Sequence, residues 1–367
     1  MKVYCHGLDL ADALIKVSRA IPTKKTVPIL EGILLSASGS TLTITATDLE
    51  IGIEKKINAD VKIDGDVVVP GKDVVDFVRT LTGEQIELDG SDGQMLKIRY
   101  NDSEFSLRQM PVDEFPPLRE IGEEVSFSII QKEFKDLIAK TRICASLDDS
   151  RPILKGCLLE VDDNKITGVT LDGYRLAVCE KALERNNGKK EVVVPVKTLE
   201  EISKLLEDDD YIVTVFLQDN YLMVDLDHTK IISRLLDGEF TKYRKIIPSE
   251  FSSIVTVNKN HLSNALDRAS LVSRGEKSNM VKFDIKEKSL YVESKSEHSN
   301  IKENVTVSLD GKDIEIAFNA RYFIECMKVI SDEYIKISFS TSINPCLIRP
   351  AEGEEYTYLI LPVKLNY

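Results

Sequence analysis

The chain has 367 residues, 43% of them apolar and 30% charged, and its 48 basic and 61 acidic side chains leave a formal net charge of −13. That length predicts two or three folded domains and excludes disorder as the main state. The acidic balance argues against tight, non-specific binding of nucleic acid by the whole surface, but leaves room for a local basic face. No window holds 18 consecutive apolar residues, so no membrane span is expected, and residues 1–7 lack the apolar core of a secretory signal. The six cysteines, at 5, 144, 157, 179, 326 and 346, contain no C-x-x-C pair and are expected as free thiols in a reducing cytoplasm. Cys157 and Cys179 sit in apolar runs, where a thiol acts as a small hydrophobe.

In chain order, the first helix is expected to bury Leu8, Ala11, Leu14, Ile15 and Ser18, which recur at three- and four-residue steps. Residues 41–46 alternate as a half-buried strand does. The run VVVP at 67–70 precedes a second helix carrying Val74, Val75, Phe77, Val78 and Leu81. Three alternating runs follow, at Ile86/Leu88, Leu96/Ile98 and Phe105/Leu107, with turns at Ser91-Asp92-Gly93 and Asn101-Asp102. The grammar then restarts. PILEGILL at 28–35 returns as PILKGCLL at 152–159, a step of 124 residues (152 − 28). VVVP returns at 192–195 after 125 residues, and a weaker copy, IAFN, stands at 316–319 after a further 124. The opening helix returns with Phe134, Leu137, Ile138, Thr141 and Ile143, then with Leu262, Ala265, Leu266, Ala269 and Leu271. A period this long means repeated domains rather than a solenoid. The expected fold is α+β: three domains, at 1–122, 123–249 and 250–367, each with two helices packed on antiparallel sheets.

Antiparallel sheets leave strand edges that invite pairing. Joining the three units edge to edge and closing the assembly would remove those edges and collect the helices on one face. The charges are segregated accordingly. The helical windows 8–25, 71–82, 132–142, 197–206, 259–277 and 320–330 together carry +7, which leaves −20 for the rest of the chain. Lysine and arginine solvate many helix faces, but with a triple repeat the pattern also fits a basic lining that faces a polyanion.

Several stretches resemble a known family, the beta subunit of bacterial DNA polymerase III, the replicative sliding clamp. They are T-V-P-I-L-E-G-I-L-L (26–35), T-A-T-D-L-E (45–50), F-P-P-L (115–118), L-D-G-Y-R-L-A-V (171–178), D-G-E-F-T-K-Y-R-K-I-I-P (237–248), F-N-A-R-Y (318–322) and L-P-V-K-L (361–365). The resemblance covers the whole chain. It implies three clamp domains per chain and a head-to-tail homodimer, closed as a ring around duplex DNA with helices inside. It implies a processivity factor with no chemical step, no cofactor and no metal, and no membrane. Its partners would be double-stranded DNA of any sequence, the polymerase catalytic subunit, the clamp loader and other proteins with a short docking motif.

The resemblance also implies sites. A partner-peptide groove between the second and third domains would be walled by Leu154, Leu171, Gly173, Tyr174, Arg175 and Leu176. It would continue through Thr241, Lys245, Ile246, Asn319, Tyr322 and Ile343, and close on Leu361, Pro362, Val363, Lys364 and Leu365. Aliphatic walls would bury apolar anchors, while Arg175, Lys245 and Asn319 would fix the peptide. Leu154 and Leu176 fit a core role equally well. The family often has His at position 174, Pro at 241 and Met-Arg at 363–364, and Asn366-Tyr367 extend past its usual end, which bears on groove shape. DNA contacts fall on Lys24, Lys72, Arg151 and Lys197, and the dimer interface on Phe105 and Leu107 of one chain with Leu271 and Val272 of the other. Alternation alone would place Phe105 and Leu107 in their own core.

Two other classes stay open on sequence. Asp148-Asp149 and Asp208-Asp209-Asp210 are carboxylate clusters able to hold a hard cation, as in a metal-dependent nuclease, although such runs also solvate turns. A repeat-built scaffold that never touches DNA is the third reading. His6, His228, His261 and His298 show no ligand spacing, and no phosphate-binding or nucleophile-elbow motif occurs.

Overall fold

A computed structural model describes residues 1–24, 27–83, 85–122, 124–226, 228–273 and 279–364. Among the described residues there are six α-helices, two per repeat: α1 (Gly7–Val17), α2 (Gly71–Val78), α3 (Gln131–Arg142), α4 (Val196–Leu205), α5 (Lys259–Ser273) and α6 (Ala320–Val329). None is long and apolar enough to cross a membrane. The expected stripe holds in part: Phe134, Leu137, Ile138 and Thr141 are buried in α3, but Ile143 lies past its end and is only partly buried, and Leu262, Ala265, Leu266 and Ala269 are buried in α5, but Leu271 is exposed. In α1 it is out of phase. The strand Lys2–His6 runs straight into the helix, so Gly7, Leu10, Ala11, Leu14 and Val17 face inward while Leu8 is 52% exposed.

The strands and helices gather into two compact units that cut across the repeats. The first unit comprises Met1–Gln131, Glu184–Gly188 and Lys204–Leu235. Its five-stranded antiparallel sheet runs Asp60–Ile63, Lys2–His6, Gln85–Asp89, Met95–Tyr100, Ser103–Arg108. Its nine-stranded sheet runs Arg185–Asn186, Val125–Ile130, Ile212–Gln218, Tyr221–Asp225, Thr229–Arg234, Ile51–Asn58, Thr41–Thr47, Gly32–Ser38, Gly65–Pro70. The join between first- and second-repeat strands is the antiparallel pairing of Thr229–Arg234 with Ile51–Asn58.

The second unit comprises Lys132–Leu183, Lys189–Ser203 and Leu236–Tyr367. Its twelve-stranded sheet runs Lys190–Pro195, Gly156–Asp162, Lys165–Leu171, Arg175–Ala182, Tyr356–Ile360, Cys346–Pro350, Tyr334–Phe339, Ser253–Asn258, Asn300–Gly311, Ser289–Lys295, Met280–Lys286, Ile314–Asn319. Second- and third-repeat strands meet where Arg175–Ala182 pairs with Tyr356–Ile360. The long strand Asn300–Gly311 pairs with Ser289–Lys295 along its first half and with Ser253–Asn258 along its second. α3 packs closely on this sheet because Gly168 has no side chain: a Cβ there would stand 2.8 Å from Leu137 Cδ2.

One bond recurs in all three repeats. The outer strands bearing Val68, Val193 and Ala317 each accept a single backbone hydrogen bond, from Met110, Leu236 and Val363, at 2.8 Å. Each donor belongs to the segment that follows its repeat's last strand. Each partly covers a sheet edge that would otherwise stay open.

All six cysteines are free and buried. Burial pushes the thiols of Cys5, Cys157 and Cys179 up to about 12.

Candidate functional site

The described residues expected to wall a groove all fall within the second unit. Leu171 and Leu176 face each other across the hairpin made by Lys165–Leu171 and Arg175–Ala182. The chain reverses at Asp172, whose Oδ1 accepts from the backbone N–H groups of Tyr174 (2.8 Å) and Arg175 (3.0 Å). Gly173 takes the left-handed conformation this turn requires, φ 93°. Leu154, on the short turn Pro152–Lys155, joins Leu171 and Leu176 in one apolar cluster with Leu158, Tyr243 and Leu359. Leu154 and Leu171 keep 5% and 6% exposure and Leu176 1%, so the three are floor and core, not walls. Tyr174 stands on the rim, 62% exposed, with Thr241, Lys245 and Ile246 exposed on the linker.

The stretch 237–248 is held by residues outside the expected groove set. Tyr243 is buried and its hydroxyl donates to Glu160 (2.7 Å), which also accepts two bonds from Arg244, at 2.8 and 2.6 Å. Burial first, then the Glu160 carboxylate, raises the Tyr243 phenol well above its ordinary range. The motif at 237–248 contains the tyrosine and the arginine; nothing in sequence marks Glu160.

The other wall is the start of α6. Asn319 caps the helix, its Oδ1 accepting from the Arg321 N–H at 3.0 Å. The Tyr322 ring lies 4.5 Å from the Arg175 guanidinium. Arg175 is buried and engaged: Nε donates to Asp172 (3.0 Å) and Nη1 to Glu325, which also accepts from Arg321 Nε (2.7 Å). Burial alone would lower the pKa of Arg175, but its acidic partners raise it above the ordinary arginine value. Burial also opposes ionisation of Glu325, and bonds from Arg321 and Arg175 nevertheless hold it below the usual range. The expectation that Arg175 fixes a peptide is therefore revised. Its charge braces the hairpin turn against α6, and its stem and stacked tyrosine shape the wall.

Tyr174, Arg175 and Tyr322 line a depression of ≈ 710 Å³ together with Leu147 and Lys197. Ile343, Leu361, Pro362, Val363 and Lys364 line a second one, of ≈ 1130 Å³. The Leu361 N–H donates to the Tyr174 carbonyl at 2.9 Å, so the two depressions share a border. Ile343 is 80% exposed and Leu361 37%. Leu365, the last expected groove residue, lies outside the described residues, as do Asn366 and Tyr367.

Lys72 and Lys197 hold the second position of α2 and α4, one repeat apart, and both are exposed. Lys24 is exposed in the loop after α1. Arg151 is exposed beside the groove turn, its Nη1 3.6 Å from where a Gly173 Cβ would stand. Lys140, counted above among the helix positive charges, does not face solvent. Its Nζ is bonded to Asp136 (2.6 Å) and Glu355 (2.9 Å), and Lys181 joins the same carboxylates. Asp136, Cys179 and Glu355 are the one group of metal-type ligands among the described residues, and these lysine ammonium groups already neutralise it. Glu355 is held down to about 2: burial opposes ionisation, but bonds from Lys181 and Lys140 prevail. Asp148 and Asp209 spend carboxylate oxygens on local turns, accepting from the Ser150 and Tyr211 N–H groups.

On the five-stranded sheet, Ser103–Arg108 is an outer strand that pairs on one side alone among the described residues. Leu107 is buried in its own unit and Phe105 stacks on Phe77 at 4.2 Å. Leu271 is 60% exposed near the end of α5, beside half-exposed Val272.

Three family descriptions match in succession: the N-terminal domain of the DNA polymerase III beta subunit over residues 1–119, its central domain over 128–242 and its C-terminal domain over 244–364. The chain belongs to the DNA polymerase III beta subunit family. A curated relative from Staphylococcus epidermidis named beta sliding clamp is 29% identical over 356 residues, 94% of each chain. The crystal structure of the Bacillus subtilis DNA polymerase sliding clamp matches at a TM-score of 0.96 with 28% identity, covering 100% of both chains. A putative beta subunit from Eubacterium rectale matches at 0.96 with 29% identity, again over 100% of both. The fold described above is thus the three-domain sliding-clamp fold.

Proposed function

We propose that two copies of this chain close head to tail into a ring around duplex DNA, and that the ring tethers the replicative polymerase without a chemical step of its own. The observation that carries this reading is the ordered match of all three beta-subunit domains along one chain, with a full-length likeness to solved clamps. Domain boundaries then fall near 122/123 and 249/250. The ring would close where Ser103–Arg108 of one copy, carrying Phe105 and Leu107, meets Leu271 and Val272 of the other. With Leu107 buried, that strand would offer mainly its open backbone edge and Phe105. Lys24, Lys72, Arg151 and Lys197 would make weak, screened phosphate contacts that permit sliding. The groove from Leu154 to Leu365 would take short motifs of the polymerase, the clamp loader and other partners. A cytoplasmic location follows from that role.

The test separates topology from affinity. The protein is placed by a clamp loader on nicked circular DNA and on linear DNA of the same sequence, then gel-filtered in high salt. Retention on the circle and loss from the line are expected, since salt screens charge but does not open a closed ring. Equal loss from both overturns encirclement.

A further inference from the structure

The two places where repeats join edge to edge are built to one plan. In the second unit Tyr356 lies opposite Cys179 and Ile360 opposite Arg175; in the first, Thr229 lies opposite Lys55 and Ser233 opposite Ile51. The repeat step of 124 residues carries Ile51 and Lys55 onto Arg175 and Cys179, and carries Asp12 and Lys16 of α1 onto Asp136 and Lys140 of α3.

What fills the two joins differs. In the second unit Tyr356 is 1% exposed, its hydroxyl donates to Asp332 at 2.8 Å, and Lys140 Nζ sits 5.2 Å from the centre of its ring. Tyr358, two residues on and so on the same face, is buried with its hydroxyl on the Lys140 carbonyl at 3.1 Å. In the first unit the corresponding positions are Thr229 and Ile231. A cavity of ≈ 410 Å³ opens beside Thr229, lined also by Lys16, Lys55, Leu205, Asp209 and Leu226. The surrounding chemistry is retained in part, with Asp12 and Lys16 standing for Asp136 and Lys140 and Lys55 standing where Cys179 does. Lys16 and Lys55 both reach Asp12, at 3.1 and 3.5 Å, and Lys55 Nζ donates to Thr229 Oγ1 at 3.3 Å. Asp332 follows α6 and Asp209 follows α4, so a carboxylate from the loop after the second helix is present in both.

We propose that this cavity is a binding site for a small phenol, held as the second join holds the side chain of Tyr356. Leu205, Val213 and Leu226 offer the apolar wall, the two lysines offer cations to a ring face, and Asp209 offers an acceptor to the hydroxyl. The volume falls within the span of about 300–1,000 Å³ usual for small-molecule sites. None of the groove residues lines the cavity, so the site stands or falls apart from the proposed peptide docking.

The probe is 4-methylphenol, the tyrosine side chain without its backbone, titrated into the full-length protein with methyl-labelled Leu and Val. Saturable shifts confined to Leu205, Val213 and Leu226 are expected, with half-saturation at about 1–10 mM for so few atoms. Thr229→Tyr should occupy the cavity and weaken the response at least tenfold. Cyclohexanol, which has no π face, should bind the unmodified protein at least tenfold more weakly than the phenol, and this comparison stands even if the variant does not fold. No saturable shift at these methyls, an equal response in folded Thr229→Tyr, or equal binding of cyclohexanol each overturns the proposal.

Discussion

Leu49 occupies the turn that Gly173 occupies one repeat later. In both, the preceding aspartate accepts two backbone N–H bonds, Asp48 from Glu50 (3.0 Å) and Ile51 (2.8 Å). Leu49 therefore sits at φ 74°, where a side chain crowds its own carbonyl at a cost of about 1–2 kcal/mol. It recovers little by burial, being 59% exposed. Leu49→Gly should stabilise the protein by about 0.5–1 kcal/mol once the entropy of glycine is charged against it. Chemical denaturation of the two proteins measures this, and a less stable variant would show that Leu49 makes contacts worth more than the strain. At this scale the sequence was legible in part. It marked Arg175 and Lys140 as cations, yet not that both are consumed by carboxylates. Asp172 and Asp136 lie only three and four residues away, but the other partners, Glu325 and Glu355, lie 150 and 215 residues away, and no local pattern announces a pairing that distant.

Helix phase shows where element-level reading succeeds. A stripe at three- and four-residue steps fits two neighbouring phases when apolar residues are dense, as in residues 8–17; the strand that feeds α1 decides between them. Sparse stripes, as in α3, leave no choice. The terminal segment is the element with the sharpest consequence. Val363 does for Ala317 what Met110 and Leu236 do for the outer strands of the earlier repeats, while Leu361 extends the pairing with the groove turn. Deleting residues 361–367 removes both backbone bonds, at about 1–3 kcal/mol, and one wall of the groove. Docking of a clamp-binding peptide, followed by fluorescence anisotropy, should weaken at least tenfold while the shortened protein stays folded. Unchanged affinity in the folded protein would refute the groove assignment.

At the scale of the molecule, three repeats were readable because their spacing hardly changes over 367 residues. That strands would be shared across repeats was anticipated only as a general way to hide edges. The particular partners were not readable, since backbone hydrogen bonding carries no side-chain signature. Edges remain even so. Ser103–Arg108 pairs on one side, and residues 300–306 pair with Ser289–Lys295 alone among the described strands. Asp60–Ile63 and Arg185–Asn186 also end their sheets, but Ser103–Arg108 and residues 300–306 carry or adjoin the residues assigned to ring closure, and a pair of unlike edges on one chain fits a heterologous contact that closes on a second copy. Sedimentation at micromolar concentration in physiological salt should give twice the chain mass of 41.2 kDa. A monomer there would sink the ring.

The six thiols mark out a clock. Cys5 belongs to the first unit and the other five to the second, and every one is buried, with its ionisation pushed upward by that burial. A thiolate-seeking reagent must wait for the surrounding sheet to part, so each cysteine is modified only as fast as its own neighbourhood breathes. Peptide-by-peptide mass analysis of a single timed exposure would rank those openings in the unaltered protein, with no engineered label.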